Sequence, residues 1–505
     1  MKRIFLFITT ICLAMTANAQ YQVNGGFDET WKECYPWDGN AVASDSQGTQ
    51  PFGWCIANVC GMKVISYMGA TTVGVEGRGR NETGKSVVIT NTPNPLSENQ
   101  IVPGYMTLGT SWATAKATVT GAVTDGTADG GSFGGINFSY HPDALRLYYK
   151  RAHNVNNKTN VVNLSERASV IAYTWKGTWT QQDVPQKTSI TNPPKYPMTD
   201  RDRNVMFNAS GTVGGTISKT DNAELIASIE HYIEGDASEW TELVVPFTYK
   251  TSSTPEKLNI IIAAEDYFAD RSVIGNGNQI TVDDIELLYY SELKSAKYDG
   301  KTIAFNGTAA TIDEYYDENK LEITSNGHGA TVETSMRQNK QLLTVTIKGD
   351  NFSEDDTNFH TYTIQFKQYG FDLLSLAYNG TEIAGYEKDG EPLDVILDEE
   401  FDINKLTYTI SDYANFSYDY DEETSDLSIF VTSKSGSSAE YDFKFYRRGD
   451  VNGDRQVTIA DVTSLVNIIL GKTTDYKEAV ADVNGDGKVT IADVTALVNI
   501  ILGKN

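Results

Sequence analysis

Near the C-terminus, oxygen-bearing side chains recur at a spacing suited to a hard cation. Asp450, Asn452, Asp454, Gln456, Thr458 and Asp461 stand at positions 1, 3, 5, 7, 9 and 12 of one segment, and Asp482, Asn484, Asp486, Lys488, Thr490 and Asp493 repeat them 32 residues later. Calcium takes six to eight oxygens, and a twelve-residue loop delivers them from these positions, the seventh through its backbone carbonyl. From Asp450 to Leu470 and from Asp482 to Leu502 the copies differ only at Arg455/Gly487, Gln456/Lys488 and Ser464/Ala496. Two calcium ions are expected; the alternative is a pair of polar Asx-turns that bind nothing. Each loop ends on Asp rather than the longer Glu. Arg455 also stands where the loop turns sharply, and a side chain held in the left-handed region costs on the order of 1 kcal/mol. The first loop is therefore expected to be the weaker site.

The elements that must position these loops depart from an ordinary EF-hand. Tyr441-Asp-Phe-Lys-Phe445 alternates apolar and polar residues, so a strand and not a helix enters the first loop. Exit helices are expected from Asp461 to Leu470 and from Asp493 to Leu502, each stopped by Gly471 or Gly503. This F-hand pattern, a loop plus an exit helix repeated twice, resembles the type I dockerin module over Gly449 to Asn505. The resemblance implies a calcium-folded helical module that binds a cohesin on a partner protein. The implied contact positions are Ile459, Ala460, Val466 and Asn467, with Ile491, Ala492, Val498 and Asn499 in the second copy. Val462, Leu465, Val466, Ile468, Ile469 and Leu470 ring their helix too completely for so small a module to bury them all, so apolar surface is left for a partner. The alternative is that this surface packs on the neighbouring domain, since Arg447-Arg448-Gly449 is no flexible linker.

At the other end, Lys2-Arg3, an apolar run from Ile4 to Met15 and Ala17-Asn18-Ala19 read as a secretory signal over residues 1–19. A secreted chain, periplasmic or extracellular and cell-surface, is expected, and no later stretch is long and apolar enough to span a membrane. The net charge of −26, falling to −28 without Lys2 and Arg3, argues against nucleic acid or an anionic membrane as partner. Three cysteines follow the leader, Cys34, Cys55 and Cys60, and their pairing is open.

The body of the chain reads as β-structure. Runs such as Ser86-Val-Val-Ile-Thr90 and Leu258-Asn-Ile-Ile-Ile262 are rich in β-branched residues and are separated by Gly, Asn, Asp and Thr clusters. Leu293 to Ala304 is echoed by Leu373 to Ala384, and Thr363-Ile-Gln-Phe366 by Asp442-Phe-Lys-Phe445. Both copies open with a strand, a Tyr-Asp-Gly or Tyr-Asn-Gly turn and a second strand. They are read as two immunoglobulin-like β-sandwich repeats, 292–370 and 371–448, acting as spacers.

The first domain, 20–291, holds all seven tryptophans. Its opening, Asn24-Gly-Gly-Phe-Asp-Glu-Thr-Trp31, and closing strand, Thr281-Val-Asp-Asp-Ile-Glu-Leu287, resemble the end strands of carbohydrate-binding jelly rolls. The order of motifs between them is similar to the bacterial putative carbohydrate metabolism domain. That resemblance implies a jelly-roll β-sandwich with a glycan ligand. Pyranose rings pack their C–H faces on flat aromatic surfaces, so Trp175 and Trp179, in a polar stretch, are the first platform candidates, followed by Trp112 and Trp54. Trp31 and Trp240, in strand-like motifs, are read as core. By resemblance, Glu29 with Asp283 or Asp284 would hold a third, structural calcium; an ordinary turn network is the alternative. If the domain is instead a glycoside hydrolase, it needs two carboxyl groups flanking the scissile bond, and Glu239, Glu265 and Asp266 are the acids to test. The reading is a mainly β, secreted glycan-binding component of a polysaccharide-degradation system. A glycoside hydrolase is the alternative and an adhesive or structural surface protein the third.

Overall fold

The computed structural model describes residues 23–35, 46–58, 72–94, 97–120, 122–177, 224–269, 273–353 and 357–504. The expected leader, Trp37, Cys60 and Trp179 lie outside these. The described chain is mostly strand, with its α-helices gathered at the C-terminal end. It divides into two units: the first runs to Lys294 and includes 324–332 and 347–360, and the second holds the remainder.

In the first unit a five-stranded antiparallel sheet runs in the order Ala237–Pro246, Ala144–Ala152, Gln279–Leu288, Lys85–Thr90, Gly74–Arg78. A second sheet is ordered Thr248–Tyr249, Glu224–Ile233, Ala168–Lys176, Lys257–Ala263, Tyr105–Thr107, Cys55–Ile56. Leu145, Leu147, Val87 and Val282 from the first and Val170, Ile229, Ile260 and Ile262 from the second join one core. Burying each such side chain contributes roughly 1.5–3 kcal/mol. From Val87 to Thr90 burial alternates as in a one-sided strand, whereas Ala168 to Trp175 is buried at every position. A strand covered on both faces must satisfy its polar atoms internally. Asn259 does so: its amide nitrogen donates to Ser132 Oγ (2.9 Å) and the Tyr173 hydroxyl (2.8 Å), and its oxygen accepts from Thr107 Oγ1 (2.7 Å) and the Gly109 N–H (2.8 Å).

The repeat visible in the sequence is visible in the strands. The first copy pairs a three-stranded sheet (Leu293–Tyr298 central) with a four-stranded sheet ending in Thr331–Arg337; the second does the same around Leu373–Tyr378 and Asn415–Asp421. Each contains a parallel pair, Ala309–Ile312 with Phe359–Phe366 and Leu393–Leu397 with Ser438–Arg447. The turn residues hold positive φ as type I′ requires, Asp299 at 50° and Gly300 at 75°, Asn379 at 46° and Gly380 at 80°. Tyr298 and Tyr378 play the same part in each copy. Each hydroxyl donates to a carbonyl (Tyr315, Glu400) and accepts the N–H of an aspartate (Asp317, Asp402) that caps a short 3-10 turn.

Residues 324–332 and 347–360, inside the expected first spacer, belong to the N-terminal unit. Asp350 accepts from the His141 N–H and pairs with its Nδ1 (2.9 Å), while Asp143 pairs with His328 Nδ1 (2.7 Å). Tyr249 stacks on His328 with centroids 4.0 Å apart and on His141 at 6.2 Å. The Asp350 hydrogen bond holds the His141 imidazole above its usual value, against the opposing effect of burial.

Candidate functional site

Three helices form the tail: α1 (Ile459–Ile469), α2 (Glu478–Ala481) and α3 (Ile491–Ile501). Thr458 and Thr490 start the longer two with capping boxes that use Asp461 and Asp493. Both end at the expected glycines, Gly471 at φ 67° and Gly503 at 64°. The position-12 aspartates thus fix a helix start and close a loop together. Asp461 accepts the Asn452 N–H (3.0 Å) and the Thr458 N–H (2.8 Å), and Asp450 accepts those of Asp454 (3.1 Å) and Arg455 (2.8 Å). The second loop repeats each bond: Asn484 and Thr490 donate to Asp493, and Asp486 and Gly487 to Asp482. The amides of Gln456 and Lys488 donate to Asp454 and Asp486, closing the turns.

Oxygens of Asp450, Asp454 and Asp461 lie within 4.8 Å of one another. Burial pushes the Asp450 carboxyl up, and the charges of Asp461 and Asp454 add to it. A hard, oxygen-seeking divalent cation matches that donor set. Arg455 sits at φ 67°, in the region Gly487 occupies at 82°. Replacing Arg455 with Gly is expected to strengthen the first site by about 1 kcal/mol, close to fivefold in calcium affinity. Titration calorimetry on the full chain measures it; unchanged affinity would mean the left-handed residue does not limit the loop.

The helices meet through Leu465, Leu497, Ala481 and Val483. Several of their apolar side chains nevertheless stay outside, with Ile459 70% exposed, Ile491 69%, Leu470 62% and Leu502 58%. Ala460, Ala492 and Asn499 are exposed too, while Val466, Asn467 and Val498 are half-buried. Contacts with the second repeat use a different, polar set: Arg448 bonds Asp398 (2.9 Å) and the Asp482 carbonyl (3.0 Å), and Lys477 pairs with Asp394 and lies over the Tyr446 ring. The tail therefore leans on its neighbour and still leaves both helix starts bare.

Residues 448–502 match the family described as dockerin type I domain. The tail is a type I dockerin. No curated protein matches the chain in sequence. Among solved structures, a "putative glycoside hydrolase" from Bacteroides thetaiotaomicron is similar at 14% identity, covering 54% of this chain and 72% of its own, with a TM-score of 0.30. Another from Bacteroides vulgatus gives 16% identity, 52% and 96% coverage, and a TM-score of 0.29. Scores this low carry neither fold nor activity across.

Beyond the dockerin, the structure corrects the aromatic platforms. Trp175 is the inner end of a covered strand, 4% exposed and stacked on Tyr173 at 5.1 Å. Trp54 is 2% exposed, packs edge-on against Phe27 and donates its indole N–H to the Asn24 carbonyl (2.8 Å). Neither offers a ring face to a sugar. Trp112 lies in the Thr110–Thr120 strand, paired with Gly131. Trp31 is core as expected, but Trp240 is not: it is half-buried on the outer face of the five-stranded sheet, beneath Lys150 at 5.2 Å. Tyr148 shares that face, with the Arg80 guanidinium 3.8 Å above its ring and its hydroxyl on Glu242 (3.0 Å). A signal was present, since Glu242 and Val244 follow Trp240 at the strand period of two and a carboxylate marks that face as wet.

The three acids sit in different settings. Glu239 is exposed on the five-stranded sheet, Glu265 is fully buried after the Lys257–Ala263 strand of the other, and Asp266 is bonded to Arg167. Where the end strands meet, Asp283 accepts the Arg80 N–H (2.7 Å) and Asp284 pairs with the Arg80 side chain (2.6 Å). Burial pushes the Asp283 carboxyl up, and the charges of Asp284 and Asp28 add to it. An arginine thus supplies positive charge there, as in the ordinary network that is the alternative to a third ion. Cys34 is buried, and burial pushes the Cys55 thiol up.

Proposed function

We propose that this chain is a secreted glycan-binding component of a polysaccharide-degrading assembly, attached to a cohesin-type partner by its calcium-dependent dockerin. The observation that carries the attachment is the duplicated acidic loop whose two helices start with bare isoleucines, Ile459 and Ile491. Large apolar side chains that cost free energy in water mark a surface to be covered, and polar contacts through Arg448 and Lys477 leave these two outside. Two copies of one face allow either to serve. The double substitution Ile459→Asp with Ile491→Asp is expected to weaken capture by a cohesin at least about a hundredfold, near 2.7 kcal/mol, while each single change costs much less. Surface plasmon resonance in calcium reads this; a double variant that binds as well as the parent would refute the docking face.

Glycan binding by the N-terminal domain is assigned to the sheet face that Trp240 shares with Tyr148, where Lys150 and Arg80 lie over the rings and Glu242 accepts from the Tyr148 hydroxyl. Such a mixture of flat apolar and charged groups suits a pyranose, whose C–H faces stack and whose hydroxyls both donate and accept. Trp240→Ala is expected to weaken retardation of the full chain in native gels cast with the bound polysaccharide. Retardation equal to that of the parent would remove this surface from consideration.

A further inference from the structure

The two repeats, expected to act as spacers, hold at their junction a cleft of about 810 Å³ lined by tyrosines. Tyr315 and Tyr369 from the first repeat lie face to face, centroids 4.5 Å apart and planes within 5°. Tyr413, from the second, stands edge-on to both at 5.1 and 5.9 Å. Lys367 hangs over Tyr315 at 5.0 Å and Lys434 over Tyr369 at 5.5 Å.

The repeat supplies its own control for whether the fold needs these rings. Matching the capping aspartates Asp317 and Asp402 puts Glu400 where Tyr315 stands, and matching Phe366 with Phe445 puts Arg448 where Tyr369 stands. At that second junction Arg448 is bonded to Asp398, and the crevice beside Glu400 and Phe401 holds only about 200 Å³. A polar pairing thus serves one junction, while the other is opened and lined with aromatics. Tyr413 is moreover 63% exposed and held at φ 63°. Burial offsets little of the roughly 1 kcal/mol which that backbone conformation costs.

We infer that this cleft is a second saccharide-binding site, formed jointly by the two repeats and separate from the N-terminal domain. The rim carries carboxylates at Asp313 and Glu318, ammonium groups at Lys367 and Lys434 and amides at Gln338 and Asn319. A sugar hydroxyl, both donor and acceptor, satisfies such a mixed rim. A proline-rich peptide, the other common guest of tyrosine grooves, presents mainly carbonyl acceptors and would leave the carboxylates unmatched.

Native electrophoresis of the full chain, through gels each cast with xylan, mixed-linkage β-glucan, galactomannan or arabinan, tests the site. At least one polysaccharide is expected to retard the chain, and Tyr413→Ala and Tyr315→Glu, the latter copying the second repeat, to weaken that retention about tenfold with the thermal midpoint unchanged. Should Tyr315→Glu lower the midpoint, the exposed Tyr413 decides alone. Retention lost in Trp240→Ala but kept in Tyr413→Ala overturns the cleft and leaves the N-terminal surface standing. The reverse pattern does the opposite, and no retention in any gel sinks both. Binding of a polyproline peptide that competes with the polysaccharide would also overturn the assignment.

Discussion

Chelating divalent cations from the full chain is expected to unfold residues 449–505 and little else. Amide hydrogen exchange followed by mass spectrometry should lose protection in α1 and α3 while the strands of the N-terminal core keep theirs. The reason is the balance within a small module. Its buried centre is little more than Leu465, Ala481, Val483 and Leu497, and it must hold three carboxylate groups with oxygens inside 4.8 Å in the first loop. A core of that size contributes only a few kcal/mol, whereas structural cations supply folding free energy directly by neutralising such clusters. Asp461→Ala should open the first half even in calcium. It removes one carboxylate of the acidic cluster and one arm of a capping box, the cap alone contributing about 1 kcal/mol. Helices that stay protected in chelator would show that the loops are ordinary hydrogen-bonded turns.

The second large effect lies in the N-terminal domain. Glu166 is 7% exposed, and burial pushes its carboxyl from 4.5 up to about 7. Hydrogen bonds from the Asn278 and Asn91 amides (2.6 and 3.1 Å) and the Gly275 N–H (3.1 Å) only partly oppose that rise. Arg151 does not pair with the carboxylate; its guanidinium bonds the Glu166 and Gly235 carbonyls. The folded value exceeds the unfolded one, so the contribution to stability is complete below pH 4.5 and is lost as pH rises through about 7. The full loss is roughly 3 kcal/mol. Glu166→Gln, which keeps an acceptor and carries no charge, is expected to remove that slope and to be the more stable form at alkaline pH. Urea unfolding across this range measures the difference, and parallel curves for the two proteins would show that Glu166 is charged throughout.

What the sequence made legible was whatever local chemistry alone determines. Asp299-Gly300 and Asn379-Gly380 form their turns because few other pairs tolerate positive φ at both residues. Thr458, Asp461 and Gly471 bound α1 because caps are satisfied within a few residues. The aromatic surfaces were not legible, for a reason tied to layering. Trp175 stands near the end of a strand buried on both faces, where no alternation distinguishes wet from dry. Trp240 stands in a β-rich run that suggests core, and only the face occupied by Glu242 tells its side of the strand from the other. The tyrosine cleft joins positions 315, 369 and 413, whose proximity depends on how one repeat follows the next.

The paired histidine and aspartate contacts around Tyr249 bear on where this chain can be divided. Asp143 is 4% exposed and receives His328 on one oxygen and the Tyr290 N–H on the other; His141 likewise relies on Asp350. A fragment trimmed at Ser291 would discard both partners, leaving a shielded carboxylate half-served and the Tyr249 ring stripped of the imidazole that covers it. Dissection into autonomous pieces should therefore carry the 324–332 and 347–360 segments along, because in folding terms they are a buckle fastened to the domain that precedes them.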